Sequence, residues 1–128
     1  MPKEVIAPAN VHPARGYSHA YKVGNTIYVA GQVGINPEGQ VVGIGDCAAQ
    51  CDQAYQNMQR VLAAAGATLN DVVKITQFFR DITDLPRVRE ARRKYFGDHF
   101  PASTAVQVVS LALSDLLIEV EAIAVIDS

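Results

Sequence analysis

The sequence has few of the residues and segments that mark disulfide-stabilised, metal-binding and membrane-spanning proteins. Its 128 residues include no tryptophan, two cysteines and three histidines, with no apolar run near the roughly 18 residues of a membrane span. The opening segment MPKEVIAPAN has no apolar stretch of signal-peptide length. Hydrophobic residues make up 49% and charged residues 19%, which argues against disorder. We therefore expect one domain, residues 1–128, in a soluble cytoplasmic protein.

Basic residues are missing from the end of the chain. No lysine or arginine follows Lys94, whereas RVREARRK (87–94) is strongly basic. The net charge of −2 argues against a protein that binds nucleic acid by neutralising phosphates. The basic run is either an RNA-binding patch or a solvated helix face. Because it lacks interleaved aromatic residues for base stacking, the solvated face is favoured, and no nucleic-acid partner is expected.

Cysteine and histidine offer little for metal binding or disulfide formation. Cys47 and Cys51 are four residues apart, so they share one face of a helix and are interpreted as small residues packing inward. A disulfide is disfavoured in a reducing compartment. His12, His19 and His99 lack the spacing of metal ligands, so no metal site is expected.

Hydrophobic periodicity predicts the element order β-β-β-α-β-α-β-β. Residues 17–23 and 26–33 form a hairpin around Gly24-Asn25, and the glycine-rich segment 31–45 predicts a bulged strand followed by a tight hairpin around Pro37-Glu38-Gly39. The remaining predicted elements are helix 46–65 with Asp46 as its cap and Gly66 as its stop, strand 72–79, a helix between Asp84 as cap and Gly97, and strands 103–110 and 116–126.

Two helices can cover only one face of such a sheet. The last strand carries Ile118, Val120, Ala122 and Ala124 on one face, while its other face also includes the apolar Ile123 and Val125. No helix remains to cover this second face. A second copy of the same sheet would bury it, so element counting predicts a homo-oligomer with its sheets turned inward.

Four segments resemble the RidA/YjgF family and occur in the order of that family's motifs. They are YSHAYKVGNTIYVAGQVG, NMQRVLAAAGATLNDVVKITQFFRDITDL, FPASTAVQV and IEVEAIAV. The resemblance spans nearly the whole chain. It implies a chorismate-mutase-like α+β fold, with a mixed sheet, two helices on one face and a homotrimeric barrel with clefts between subunits. It also implies hydrolysis of reactive enamines and imines such as 2-aminoacrylate to a 2-oxo acid and ammonia, with no metal or organic cofactor.

Three family site residues are present by resemblance. Tyr17 matches the tyrosine of the cleft, Gly31 matches a glycine whose backbone lines it, and Glu119 matches the acid that positions water. Glu119 and Glu121 face one side of a strand, and each is either a water-activating carboxylate or part of a polar network inside the oligomer. The catalytic interpretation is preferred for Glu119 and the structural one for Glu121. His19 is interpreted as a hydrogen-bonded or exposed histidine rather than a base.

Three other positions depart from the family pattern. Ser103 stands where the family motif has an arginine that clamps the substrate carboxylate, Ala105 replaces a frequent cysteine, and Arg89 replaces a frequent asparagine. The serine either hydrogen-bonds a neutral substrate or has no role. Arg89 either supplies the missing cation or belongs to a solvated helix face. Loss of a charged hydrogen bond of about 1.5–3 kcal/mol predicts weak activity on 2-aminoacrylate.

The sequence thus leaves two functional hypotheses. The first is a small-molecule hydrolase of enamine, 2-imino acid or related C–N bonds, with Glu119 and Tyr17 as catalytic residues. Its substrate would contact Gly31, Ser103, Ala105 and Arg89. The alternative is a non-catalytic metabolite-binding or regulatory trimer of the same family.

Overall fold

The structure, a computed structural model, describes residues 1–127. These residues form strands β1 (Lys3–Ile6), β2 (Ala20–Val23), β3 (Thr26–Val33), β4 (Val72–Phe79), β5 (Ala102–Gln107) and β6 (Ile118–Val125), helices α1 (Cys47–Ala64) and α2 (Leu85–Phe96), and 3₁₀ turns at Leu69–Asp71 and Ile82–Asp84. The strands form one sheet in the order β1-β2-β3-β6-β4-β5. Only the β4–β5 pair within this region is parallel. The predicted mixed sheet with two helices on one face is confirmed.

The N-terminal part of the sheet differs from the prediction. KEVI forms the edge strand β1, which was not predicted because four residues are too few to show alternation. The hairpin around Pro37 is present, but it contributes a single bridge between Ile35 and Val41 rather than a full strand. The predicted bulge lies in β3, where the register with β6 shifts between Val29 and Gln32.

Helix α1 follows its predicted limits. The Asp46 carboxylate accepts a hydrogen bond from the Ala49 amide at 3.2 Å, and Gly66 has a φ of 83°, which favours glycine after a helix. Its inward face, including Ala54, Met58 and Leu62, is fully buried.

Asp84 lies at the predicted N-cap position of α2, but its side chain does not cap the helix. It makes no hydrogen bond to the amides of the first turn. The backbone of Asp84 is already helical, whereas an effective cap is normally extended. Pro86 in the first turn has no N–H that could donate to the Asp84 carboxylate. Asp81 instead caps the preceding 3₁₀ turn by accepting a bond from the Thr83 amide at 3.0 Å.

The two faces of the sheet have different surroundings. Ile75, Phe79, Ile118 and Val120 pack beneath the helices and are at most 1% exposed. No helix among residues 1–127 covers the opposite face, where Tyr28 remains 51% exposed. This is the face that element counting left uncovered. None of the helices in this region has the length and apolarity needed to cross a membrane.

Candidate functional site

Two separate pockets contain most of the residues singled out in the sequence. The first, here called the Glu119 pocket, has a volume of about 320 Å³. Its lining comprises Glu119, Tyr17, Gly31, His12, Ala30, Val33, Ile35, Ala112, Leu113 and Leu116. The predicted group of Tyr17, Gly31 and Glu119 therefore lies together in one chain.

The bulge in β3 brings Gly31 against Glu119. Val29 pairs with Ala122 and Gln32 with Val120, so two residues of β3 lie opposite one residue of β6. Gly31 is one of these two residues. Because it has no side chain, the Glu119 carboxylate occupies the space above its Cα.

The electrostatics of the Glu119 pocket favour protonated groups. Burial, followed by the nearby Glu121 carboxylate, raises the pKa of Glu119 above its ordinary value. Burial, followed by the charge of Glu119, raises the pKa of Tyr17. The Tyr17 phenol thus remains a hydrogen-bond donor at neutral pH. Among residues 1–127, no donor hydrogen-bonds the Glu119 carboxylate, which leaves it available to a water molecule or ligand.

A buried polar network supports the wall of this pocket. Gln32 Nε2 donates to His19 Nδ1 at 3.2 Å, and His19 Nε2 donates to the His12 carbonyl at 2.8 Å. The His19 ring also lies edge-on to Tyr17, with 5.7 Å between the ring centroids. Both ring nitrogens of His19 are thus engaged, and the ring is fixed against Tyr17.

His12 is a pocket residue that the sequence analysis did not identify. Its side chain is 7% exposed, and its buried Nε2 has no hydrogen-bond partner among residues 1–127. Burial lowers its pKa, so the ring is neutral near pH 7. It belongs to an irregular segment, where no periodicity could have indicated its direction.

The second pocket, here called the arginine pocket, lies between α2 and the edge strand β5 and has a volume of about 370 Å³. It brings together the predicted pair Ser103 and Arg89. Its other lining residues are Ile75, Arg92, Arg93, Phe96, Gly97, His99, Phe100 and Pro101. No aspartate or glutamate occurs among these lining residues.

Arg92 is linked to Ser103 by hydrogen bonds through Gln77. Its Nη1 donates to Gln77 Oε1 at 2.8 Å, and Gln77 Nε2 donates to Ser103 Oγ at 3.2 Å. The family resemblance pointed to Arg89 as the substitute cation and did not point to Arg92. The i, i+3 spacing of the two arginines places them on one helix face and was the available signal.

Ala105 lines neither pocket. It pairs with Gln77 in the β4–β5 register and is half-buried. The predicted site residues therefore lie in three places in the single chain. Tyr17, Gly31 and Glu119 line one pocket, Ser103 and Arg89 line the other, and Ala105 lines neither.

The cysteines pack inward as predicted. Cys47 is 4% exposed and Cys51 is 0% exposed. Burial raises the pKa of each thiol to about 12, so neither is a reactive thiolate near neutral pH. No cluster of three or more histidine, cysteine, aspartate or glutamate side chains within residues 1–127 is arranged to hold a metal ion.

Comparison with known proteins places this chain among close relatives. The family model described as Endoribonuclease L-PSP matches residues 7–126. A RutC family protein of Pyrococcus abyssi is 45% identical over 97% of this chain and 98% of its own length. The human protein named 2-iminobutanoate/2-iminopropanoate deaminase is 42% identical over 96% of this chain and 90% of its own length.

The fold agrees with a solved structure at similar coverage. The crystal structure of the YjgF gene product of Escherichia coli superposes with a TM-score of 0.88, at 38% identity, over 95% of this chain and 98% of that one. The predicted chorismate-mutase-like α+β fold is thereby confirmed. The chain belongs to the RidA/YjgF family, which the matching family model describes as Endoribonuclease L-PSP.

Proposed function

We propose that this protein hydrolyses enamines and imines of the 2-imino acid type, releasing a 2-oxo acid and ammonia. The observation that carries the proposal is the position of the Glu119 carboxylate, which lies beside Gly31 in a pocket that also contains the Tyr17 phenol. The human relative named as a 2-iminobutanoate/2-iminopropanoate deaminase supports this reaction class.

Glu119 activates and orients the attacking water. An enamine first gains a proton at its β-carbon to become the iminium ion, and an imine reaches the same ion by protonation at nitrogen. Water then adds to the C=N carbon while the Glu119 carboxylate accepts one of its protons, giving a neutral tetrahedral amino alcohol. The same carboxyl returns this proton to nitrogen, and the C–N bond breaks as the hydroxyl oxygen loses its proton to Glu119 and forms the C=O bond, which releases ammonia and the 2-oxo acid. A raised pKa suits Glu119 to both accepting and returning the proton.

Tyr17 and backbone groups position the substrate. The phenol, 48% exposed at the pocket, closes the site over the bound molecule and donates a hydrogen bond. Backbone groups near Gly31, together with those near Ala105 of a neighbouring subunit, hold its polar atoms. The reaction consumes only water and moves only protons, so it requires no metal or organic cofactor.

A homotrimer would complete the site. The sheet face containing Tyr28 would pack against the same face of other copies, forming a central barrel. The arginine pocket of one subunit would then meet the Glu119 pocket of its neighbour. This proposal explains why one chain separates residues that are expected to contact one substrate.

The pocket sizes favour a small-molecule substrate over RNA. Volumes of about 320 and 370 Å³ fall within the usual range for small ligands, whereas a nucleic-acid site needs a groove that follows several phosphates. No nucleic-acid partner is proposed.

The reaction can be tested with imines generated in situ by amino-acid oxidases. We expect 2-oxo acid formation above the buffer rate, and we expect Glu119→Ala to remove that increase. Glu121→Ala is the comparison variant: Glu121 lies on the same strand face but outside the Glu119 pocket, and its charge is the smaller of the two causes that raise the pKa of Glu119, so most of the rate should remain. The proposal fails if no imine is consumed faster than in buffer, or if the two variants behave alike.

A non-catalytic metabolite-binding trimer is the second candidate, and Ser103 in place of a clamping arginine favours it. Under this alternative, a 2-oxo acid or other metabolite would raise the melting temperature without any imine being turned over. Acceleration that depends on Glu119 would exclude this candidate.

A further inference from the structure

We infer that Arg92, positioned by Gln77, is the anion-binding residue of the arginine pocket, and that this pocket selects small organic dicarboxylates. Under the proposed function, on which this inference rests, the substrate is a 2-imino acid with a second carboxylate. Three observations carry the inference: the charge of the pocket, the fixed position of Arg92 and the apolar floor.

The pocket has an excess of positive charge. Its lining contains the guanidinium groups of Arg89, Arg92 and Arg93 and no carboxylate. Arg93 lies 3.6 Å from Glu90, in an exposed ion pair. Among residues 1–127, neither Arg89 nor Arg92 forms a salt bridge. Two guanidinium groups therefore remain uncompensated, which matches two carboxylates on a ligand.

Arg92 is held in place without losing its charge. The side chain is half-buried, and its bond to Gln77 goes to a neutral amide oxygen. Gln77 is fully buried and is fixed on its other side by Ser103. An arginine has five N–H donors, so this bond leaves several free for a carboxylate. Such pre-organisation lowers the ordering cost of binding.

This arrangement also explains why a serine suits position 103. The hydroxyl accepts the hydrogen bond from Gln77, which in turn holds Arg92. An arginine at 103 would place a second cation beside Arg92 and would lack the acceptor. The positive charge that the family motif has on the strand is thus supplied here by the helix.

The floor of the pocket favours a carbon skeleton over an inorganic anion. Ile75 and Phe96 are buried beneath it, and Phe100 and Pro101 form one side. Arg89 and Arg92 are one helical turn apart, with about 5–6 Å between Cβ atoms at such spacings. A four- or five-carbon dicarboxylate can reach both guanidinium groups while its methylene groups contact the apolar residues.

Binding can be measured by calorimetry with succinate and glutarate, which cannot be hydrolysed and so report on the pocket independently of deamination. We expect both to bind at least about tenfold more tightly than propionate or succinamide. Arg92→Gln should weaken dicarboxylate binding by a similar factor. Arg87→Gln, which removes the same charge from the same helix outside the pocket, should change it less than twofold.

Gln77→Glu tests the inference while keeping Arg92. The new carboxylate would pair with the guanidinium, so the variant should fold but lose dicarboxylate binding about as severely as Arg92→Gln. In the Arg92→Gln background, Ser103→Arg should restore binding by returning a cation to the strand.

Several results would overturn the inference. The first is an equal loss of dicarboxylate affinity in Arg92→Gln and Arg87→Gln, and the second is unchanged affinity in Gln77→Glu. The inference also fails if succinate and succinamide bind with equal affinity, or if equimolar inorganic phosphate displaces succinate. If dicarboxylates bind as expected but no imine is hydrolysed, the deaminase proposal fails alone. If monocarboxylic imines are hydrolysed and Arg92→Gln has no effect on binding, only this inference fails.

Discussion

The carboxylate of Glu119 fills the space that a side chain at Gly31 would occupy. A β-carbon at Gly31 would lie 2.5 Å from Cδ of Glu119 and 2.7 Å from its Cγ. Gly31 has no positive φ, so the backbone conformation does not require glycine there. Its contribution is to let the carboxylate approach the β3 backbone, which links a feature of the fold to the proposed position of the attacking water.

Gly31→Ala should therefore reduce activity more than stability. The clashing atoms belong to the flexible end of Glu119, which can rotate away, so we expect the free energy of unfolding to change by less than about 1 kcal/mol. Displacing the carboxylate should lower the rate of imine hydrolysis by about 100-fold. Urea unfolding and the oxidase-coupled assay measure the two effects.

Gly34→Ala provides the contrasting control. A β-carbon at Gly34 would lie 2.8 Å from Cβ and 3.0 Å from Cα of Gln50, atoms that cannot rotate away. This variant should lose about 1–3 kcal/mol of stability through overpacking. The explanation is wrong if Gly31→Ala is the more destabilising change or retains full activity.

Glu119→Gln should stabilise the protein at neutral pH. Because burial raises the pKa of Glu119 in the folded state, ionisation opposes folding as the pH rises through that value. The variant removes this cost, so its advantage should be present at pH 7–8. The advantage should disappear below the ordinary glutamate pKa of about 4.3, where both states are protonated.

Urea unfolding from pH 3.5 to 8, at fixed protein concentration, gives this difference directly. In a Glu121→Gln background the difference should shrink, because the Glu121 charge contributes to the raised pKa. A difference that is constant with pH, or that grows as the pH falls, contradicts the assignment.

Gln50→Ala should loosen the loop that borders the Glu119 pocket. Gln50 is fully buried; its Nε2 donates to the Asp115 carbonyl at 2.8 Å, and its Oε1 accepts from the Leu117 amide at 2.7 Å. Leaving these buried groups unpaired should cost about 2–4 kcal/mol. Leu113 and Leu116 line the pocket from this loop, so hydrolysis should slow as well.

Gln59→Ala is the matched control for Gln50→Ala, since Gln59 is an exposed glutamine on the same helix. It should change the unfolding free energy by no more than about 0.5 kcal/mol. Equal losses in the two variants would mean that the helix, and not the loop contact, determines the effect.

The thiols of Cys47 and Cys51 should resist modification in the native protein. Both are buried, and burial raises the pKa of each to about 12, so the thiolate is scarce at pH 8. An aromatic disulfide reagent should react with neither thiol until denaturant is added, and then with both. Rapid reaction of the folded protein would contradict this description of α1.

Sequence patterns predicted the elements that carry strong local signals. Helix α1 has a capping aspartate, an apolar face and a terminal glycine, and β4 is a run of β-branched and aromatic residues, so both lie where predicted. The edge strand β1 was missed because it is short, and the missing cap bond of Asp84 was not predicted because local preference does not specify the preceding 3₁₀ turn.

The site was less predictable than the fold. The family resemblance selected Tyr17, Gly31 and Glu119, which lie in one pocket. It did not select Arg92, because the contact with Gln77 depends on how α2 is rotated over the sheet. It did not select His12, whose direction is determined by a loop that packs through the His19 network.

The extra residue in β3 makes the spacing along this strand as important as its composition. Val29 and Gln32 both face the helix-covered side, opposite Ala122 and Val120, although two residues rather than one separate them. Deleting one of those two residues would keep Gln32 on that side, but it would remove the bulge that brings Gly31 against Glu119. A single-residue deletion here should therefore make the β3–β6 pairing regular while moving the Glu119 carboxylate away from its position beside Gly31. Chain length at this point, together with the glycine at position 31, then determines where the Glu119 carboxylate lies in its pocket.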